Sequence, residues 1–390
     1  MPTSTELLTR LLARLEREWP AAVELRHRLH ANPELAHAED ATAAMVVEQL
    51  PVQAVSASGT GRLARVGSGD GAPVAVRAEL DGLPVRERTN APFSARGGVM
   101  HACGHDVHMA ALVALARAAH ALGDELPAPL LAVFQPSEEA YPSGAQQLAE
   151  GELAAAAPRA IVAVHIHPEL PWRALALDAG TVNASCDAIE IVVTGAGTHG
   201  AYPHRGRDPV LALAHVVVAL HAQAPQRLDP LHPGVVTVGV LAADGAENVI
   251  PERAVARGTL RAYRDEDRQA LRETVAEVVA GIAAAHGCEG SVQLTPGEPA
   301  LANDPALVSS ARALLGVAGL QAAPPWRSAG SDDFAFFAAL APLALGFVGL
   351  AGADGFVPRP LHHPELFPPD SAVAAVARAQ ALLYVAAACR

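Results

Sequence analysis

Val74-Ala-Val-Arg-Ala-Glu79, Leu130-Leu-Ala-Val-Phe134 and Ala160-Ile-Val-Ala-Val164 are three short, largely apolar runs, each bounded by proline, glycine or charge. Such runs read as buried strands. Between the first two, residues 106–122 carry Met109, Leu112, Val113 and Leu115 at helical spacing. Strands joined by crossover helices predict a mainly parallel sheet flanked by helices, an α/β fold. Ligands bind such sheets beyond the carboxyl ends of the strands. Reactive side chains fall there one after another: Glu79 and Asp81, then Glu138 and Glu139, then His165.

The pattern changes further along. Residues 188–193 alternate, with Ile189, Ile191 and Val193 on one face, as a half-buried strand does. Residues 208–222 read as a helix with Pro209 in its first turn. Strands follow at 235–241 and 254–262, then a helix from Asp265, a good N-cap, to residue 286, and a strand at 291–294. Strand-helix-strand-strand-helix-strand is the split βαβ, ferredoxin-like order. The expected organisation is an α/β domain of residues 1–183 and 297–390, interrupted by an α+β insertion of residues 184–296. A length of 390 residues suits two domains.

Composition narrows the function. Half the residues are apolar and 18% are charged, enough to bury a sizeable core. A formal charge of −13 argues against nucleic acid as a partner, because binding a phosphate backbone needs clustered Lys and Arg. Residues 1–20 are charged and helix-like rather than basic and then apolar, so no signal peptide is expected. The most apolar runs, 210–222 and 372–388, are alanine-rich and carry charge or fall short of a membrane span. A soluble cytoplasmic protein with no membrane partner is expected. Cys103, Cys186, Cys288 and Cys389 show no paired spacing, which argues against a disulfide framework. Seventeen histidines stand against three tryptophans, in clusters at His27/His30, His101/His105/His108, His165/His167 and His362/His363. That excess points towards metal.

Two segments carry candidate chemistry. In His101-Ala-Cys-Gly-His-Asp-Val-His108, Cys103 and His105 are two apart, so in a non-helical loop both can face one ion. A plain helix-start loop with a buried cysteine would read the same way. In Phe134-Gln-Pro-Ser-Glu-Glu139 two carboxylates follow an apolar strand. One can hold a metal while its neighbour takes a proton from bound water, although a solvated loop would also carry such a pair. His165, His362 and Asp81 decide nothing alone.

These segments join others: Arg26-His-Arg-Leu-His-Ala-Asn-Pro-Glu-Leu35, Val76-Arg-Ala-Glu-Leu-Asp-Gly-Leu-Pro84, Met100-His-Ala-Cys-Gly-His-Asp106, Gly195-Ala-Gly-Thr-His199, Asn248-Val-Ile-Pro251, Gly330-Ser-Asp-Asp-Phe334 and Leu361-His-His-Pro364. In this order, and over nearly the whole chain, the set resembles the M20 family of metallopeptidases. The similarity is to its N-acyl-amino-acid amidohydrolase branch, with hippurate and auxin-conjugate hydrolases. Val107, Gly82 and Asp332 depart from the family's usual Gly, Ala and Glu, and no reactive group is lost.

The resemblance implies that Cys103, His105, Glu139, His165 and His362 bind two divalent ions (Zn, Mn, Co or Ni), with residues 1–183 and 297–390 as the catalytic, metal-binding domain and 184–296 as a lid and dimerisation domain. Glu138 would be general base and acid for a water shared by the ions, and Asp81 would orient a ligand. His199 would reach across a homodimer, or a higher oligomer, to stabilise the oxyanion. Asn248 and Arg261 would bind a small-molecule substrate, Arg261 by the bidentate pairing that a carboxylate invites. The expected activity is metal-dependent hydrolysis of N-acyl amino acids to a carboxylate and a free amino acid. The rivals are a dipeptidase or carboxypeptidase on the same scaffold, a non-catalytic metal- or ligand-binding protein, and a cysteine-nucleophile hydrolase.

Overall fold

A computed structural model describes residues 2–390. The chain forms two compact units, one comprising Met1–Gly180, Ala302–Trp326 and Phe336–Arg390, the other Thr181–Leu301 and Arg327–Ala335.

The first unit is built on an eight-stranded sheet. Its spatial order is Val55–Ala57, Gly61–Val66, Leu130–Gln135, Val74–Glu79, Ala160–Pro171, Leu343–Ala351, Ala174–Ala176, Gln321–Ala322. The four strands from Leu130–Gln135 to Leu343–Ala351 run parallel. Val74–Glu79 and Leu130–Gln135 are buried at every position, which is why they read as continuous runs rather than alternating ones. Arg77 and Glu79 are tolerated there because they pair with each other. The helices His105–His120 and Ser371–Ala388 pack together against the sheet, and Ser4–Leu15 lies against both. Thr3 and Glu6 close a reciprocal capping box that starts Ser4–Leu15, and Leu7, Leu8, Leu11 and Leu15 bury its inner face. Ser371–Ala388 corrects one expectation: it is long and apolar enough to cross a bilayer, yet 83% of it is buried, as in a core helix.

The second unit contains the strands Ser185–Thr194, Gly234–Ala243, Arg253–Ala262 and Glu289–Pro296 with the helices Pro209–Gln223 and Asp265–Ala285. The sheet order is Gly234–Ala243, Arg253–Ala262, Ser185–Thr194, Glu289–Pro296, antiparallel throughout. This is the split βαβ arrangement. Alternating burial along Ser185–Thr194 puts Ile189, Ile191 and Val193 in the core.

Two local expectations need correction. The third strand runs on to Pro171, so His165 lies within it rather than at its end. Leu343–Ala351 pairs with it past His165 to His167 and, after a register shift, at Pro171, and so keeps the backbone extended there. Asp265 is the first helical residue and not the N-cap; Arg264 occupies that position without a side-chain cap bond. Asp265, Glu266 and Asp267 act through charge instead, facing the positive end of the helix dipole.

Candidate metal centre

Gly104 sets the first part of the geometry. Its φ of 85° is left-handed, and a Cβ there would run into the Ile166 side chain. Only glycine fits this turn cheaply. It lets Cys103 and His105 face the same point while the helix His105–His120 begins. The His105 ring is set by Asp81, whose carbonyl accepts from Nδ1 at 2.9 Å. Nε2 is thereby left without a hydrogen-bond partner, although it is buried. The Asp81 carboxylate accepts the Glu139 backbone N–H at 2.9 Å and lies 3.5 Å from His105 Nδ1. One residue two positions past a strand end therefore orients both a histidine and the loop of paired carboxylates.

His165 is fixed in the same manner. Its Nδ1 donates to the Ile166 carbonyl at 2.7 Å, and Nε2 faces Cys103 Sγ at 3.4 Å. His362 (φ 66°) is anchored by its own N–H on the Ala102 carbonyl, and its Nε2 lies 3.4 Å from Glu139 Oε1. His105 Nε2 is 3.9 Å from Glu138 Oε2 and 4.0 Å from Glu139 Oε1. Donor atoms of Cys103, His105 and Glu139 all lie within 4.8 Å of one another. The structure thus brings Asp81, Cys103, His105, Glu138, Glu139, His165 and His362 into one neighbourhood of the first unit.

A second buried group, Glu79, His105, His108 and His165, also satisfies that spacing. His108 Nε2 accepts the Ile166 N–H, so its proton sits on Nδ1 and is donated to Glu79 Oε2 at 2.8 Å. Both ring nitrogens of His108 are spoken for, and the pair acts as a brace behind His105 and His165. His108 lies one turn along the helix from His105, a spacing that could have flagged it in the sequence.

The charge balance suits a cation. Burial opposes charge on His105, yet Glu79, Asp81 and Glu139 outweigh it and hold its proton up to about 10. Burial, reinforced by Glu139, Glu138 and Glu79, pushes the Cys103 thiol well above the usual thiol range. His165 is driven well below the ordinary imidazole range, first by burial and then by His108. The neighbourhood is rich in negative charge, and Asp81 Oδ1, His105 Nε2 and Glu139 Oε1 are buried with no hydrogen-bond partner. Sulfur, imidazole and carboxylate donors set this close together fit a divalent transition metal.

The neighbouring histidines make other contacts. His167 Nδ1 accepts the N–H groups of Glu169 and Leu170, and its ring packs against Trp326 and Phe347. His363 Nδ1 accepts the Glu365 N–H.

The remaining expected residues belong to the second unit. His199 and Val249 are register partners in a two-stranded ladder, and the Gly200 N–H bonds the Asn248 carbonyl at 2.6 Å. His199 and Asn248 are therefore neighbours on one exposed rim. Arg261 sits on the strand Arg253–Ala262 and donates to the Ala329 carbonyl at 3.0 Å.

Residues 75–384 match the description of peptidase family M20/M25/M40. The chain belongs to this family. As an M20 protein it is a hydrolase with many amide-cleaving relatives. It is 31% identical to the N-acetyl-L-cysteine deacetylase of Bacillus subtilis, covering 90% of this chain and 84% of that one. It is 34% identical to an IAA-amino acid hydrolase of Arabidopsis thaliana, covering 84% and 76%. Among solved M20-like structures, a putative aminohydrolase from methicillin-resistant Staphylococcus aureus superposes with a TM-score of 0.88 at 28% identity, covering 96% of this chain and 98% of that one. The Bacillus subtilis YXEP protein, described as a dinuclear metal binding peptidase, gives 0.83 at 29% identity, covering 95% and 98%.

Proposed function

We propose that this M20 hydrolase cleaves the amide bond of N-acyl amino acids, releasing a carboxylate and a free amino acid, at a centre of two divalent ions held by Cys103, His105, Glu139, His165 and His362. The observation that carries the proposal is the convergence of donor atoms from Cys103, His105 and Glu139, with His105 Nε2 and Glu139 Oε1 buried and without a hydrogen-bond partner, beside a second carboxylate, Glu138. The dinuclear metal binding of the YXEP protein and the acyl-amino-acid names of the relatives support it.

Divalent ions in such a site supply Lewis acidity, acidifying water and polarising a carbonyl. The chain's own residues do the rest. Glu138, adjacent to a ligand but with its carboxylate set towards the same space, takes the proton of the attacking water and returns it to the leaving nitrogen. Asp81 keeps the Nδ1 proton of His105 in place, so Nε2 stays available, and holds the Glu139 loop through its N–H. Arg261 and Asn248 are assigned to the substrate's carboxylate end. His199 is assigned to the developing oxyanion, supplied by the other protomer of a homodimer. Its support is its exposure on the second unit's rim beside Asn248, together with the family resemblance.

The test is a substrate panel on metal-stripped and metal-restored protein: acetyl-, benzoyl- and indoleacetyl-amino acids alongside dipeptides. Turnover of the acyl-amino acids that disappears on stripping and returns with zinc or manganese is expected. Turnover by demonstrably metal-free protein, or of dipeptides only, would overturn the proposal.

A further inference from the structure

The Arg26–Leu35 motif, together with the residues that follow it as far as Glu39, lies behind the candidate centre, and Arg26, His30, Glu34, His37 and Glu39 bond the loops that carry it. Arg26 is fully buried, and its Nε donates to Asp106 Oδ2 at 3.0 Å. His30 Nδ1 meets the same oxygen at 3.0 Å. Asp106 directly follows His105. The Glu34 carbonyl accepts the Gly82 N–H at 2.7 Å, next to Asp81. Glu39, also fully buried, accepts the Ser137 N–H at 2.7 Å on Oε1 and the Thr60 hydroxyl at 2.7 Å on Oε2.

Ser137 is the hinge of the carboxylate loop. Its φ of 51° is left-handed, a costly conformation for a residue with a Cβ, and it turns the chain immediately before Glu138 and Glu139. The Ser137 hydroxyl is itself held, donating to Glu39 Oε1 at 3.3 Å and accepting the His37 N–H at 2.9 Å. A backbone N–H buried away from water needs an acceptor, and the Glu39 carboxyl oxygen supplies it for Ser137. A strained turn persists only where its surroundings over-determine it, and here the Glu39 carboxyl oxygen takes both the N–H and the hydroxyl of Ser137 while the His37 and Gly144 N–H groups hold the hydroxyl and the carbonyl.

We propose that Glu39 is a positioning residue for hydrolysis: by fixing Ser137 in its left-handed turn it aims Glu138 and Glu139, while Arg26, His30 and Glu34 brace the Cys103–His105 and Asp81 loops from the same segment. The proposal rests on Glu138 serving as base and Glu139 as ligand. Glu39 bonds Thr60 and Ser137 and none of the residues assigned to metal or substrate. Its influence passes through the geometry of the loop.

The test compares Glu39→Ala, Glu39→Asp and Glu39→Gln in the full-length protein, measuring kcat, KM, zinc affinity by calorimetry and thermal stability. Glu39→Ala and Glu39→Asp, the latter one carbon too short to reach Ser137, should lower kcat by ~10–10²-fold, with KM nearly constant, because small misplacements of reacting groups cost that much. Zinc affinity should fall by ~10-fold, as happens when a ligand loses its support. Glu39→Gln keeps an acceptor for the Ser137 N–H and should recover most of both. If Glu39→Ala does not fold, Glu39→Asp carries the test alone. Wild-type kcat and zinc affinity in Glu39→Asp, or a Glu39→Gln as impaired as it, would overturn the proposal. Glu138→Ala measured alongside separates the two ideas: if it stays active, the functional reading itself fails. If it is inactive while the Glu39 variants are normal, only the positioning role falls.

Discussion

Gly104 shows how much can hang on one residue. Its left-handed φ and the absence of a Cβ let Cys103 and His105 converge while Ile166 packs against the turn. Gly104→Ala should therefore lose about 2–5 kcal/mol of stability, from the left-handed backbone and from overpacking against Ile166. Zinc affinity should fall with it. Denaturant unfolding and a zinc titration measure the two effects, and a variant with wild-type values in both would show that the turn is dispensable. The spacing of Cys103 and His105 was legible in the sequence, because two residues apart in a loop is compatible with a shared target. The choice between His165 and His167 was not. Both lie on the same strand two residues apart, and the sequence does not show that His165 Nε2 faces Cys103 while the His167 ring packs against Trp326 and Phe347. Glu39 was invisible for a related reason. A buried acceptor for another loop's N–H leaves no pattern in its own neighbourhood.

At the scale of elements, periodicity served well where packing is regular and failed where the backbone serves a site or an edge. Val74–Glu79 agrees with its expected bounds because full burial makes it a clean apolar run. The apolar run from Ala160 ends at Val164 because two histidines interrupt it, although the strand and its sheet pairing continue through them. Gly61–Val66 carries no clear strand pattern, since Arg62 and Arg65 break it. Tertiary charge pairs were equally hidden. Asp187 is buried on the inner face of Ser185–Thr194 and binds Arg268 and Arg272 from the helix Asp265–Ala285. Burial would raise its pKa, but the two guanidiniums prevail and lower it to about 2. A depressed carboxylate stabilises the fold above its unfolded pKa, and that stability is lost as pH falls through the folded one. The second unit should therefore lose roughly 2–3 kcal/mol between about pH 5 and pH 1. Asp187→Asn should lose a similar amount at neutral pH and flatten that acid limb. Unfolding curves of both proteins across this range check it, and parallel acid limbs would contradict it.

For the whole molecule, the two-unit α/β and split βαβ architecture was readable because strands and helices alternate in blocks whose character changes near residue 184. The ordered motifs pointed to the M20 family, and the match over residues 75–384 establishes it. What no single motif could convey is how distant parts of the first unit assemble one centre, with Asp81 linking the His105 ring to the Glu139 backbone. The division of labour between two adjacent carboxylates is the heart of the proposed chemistry. It is tested most directly by counting metal and turnover together in Glu138→Ala, with Glu139→Ala as its counterpart. Glu138→Ala should retain the metal content of the wild-type protein, by elemental analysis after equilibration with zinc, while kcat falls by ~10²–10⁴-fold, the usual contribution of a general base. Loss of metal from Glu138→Ala with retention in Glu139→Ala, or near-normal turnover by Glu138→Ala, would contradict it.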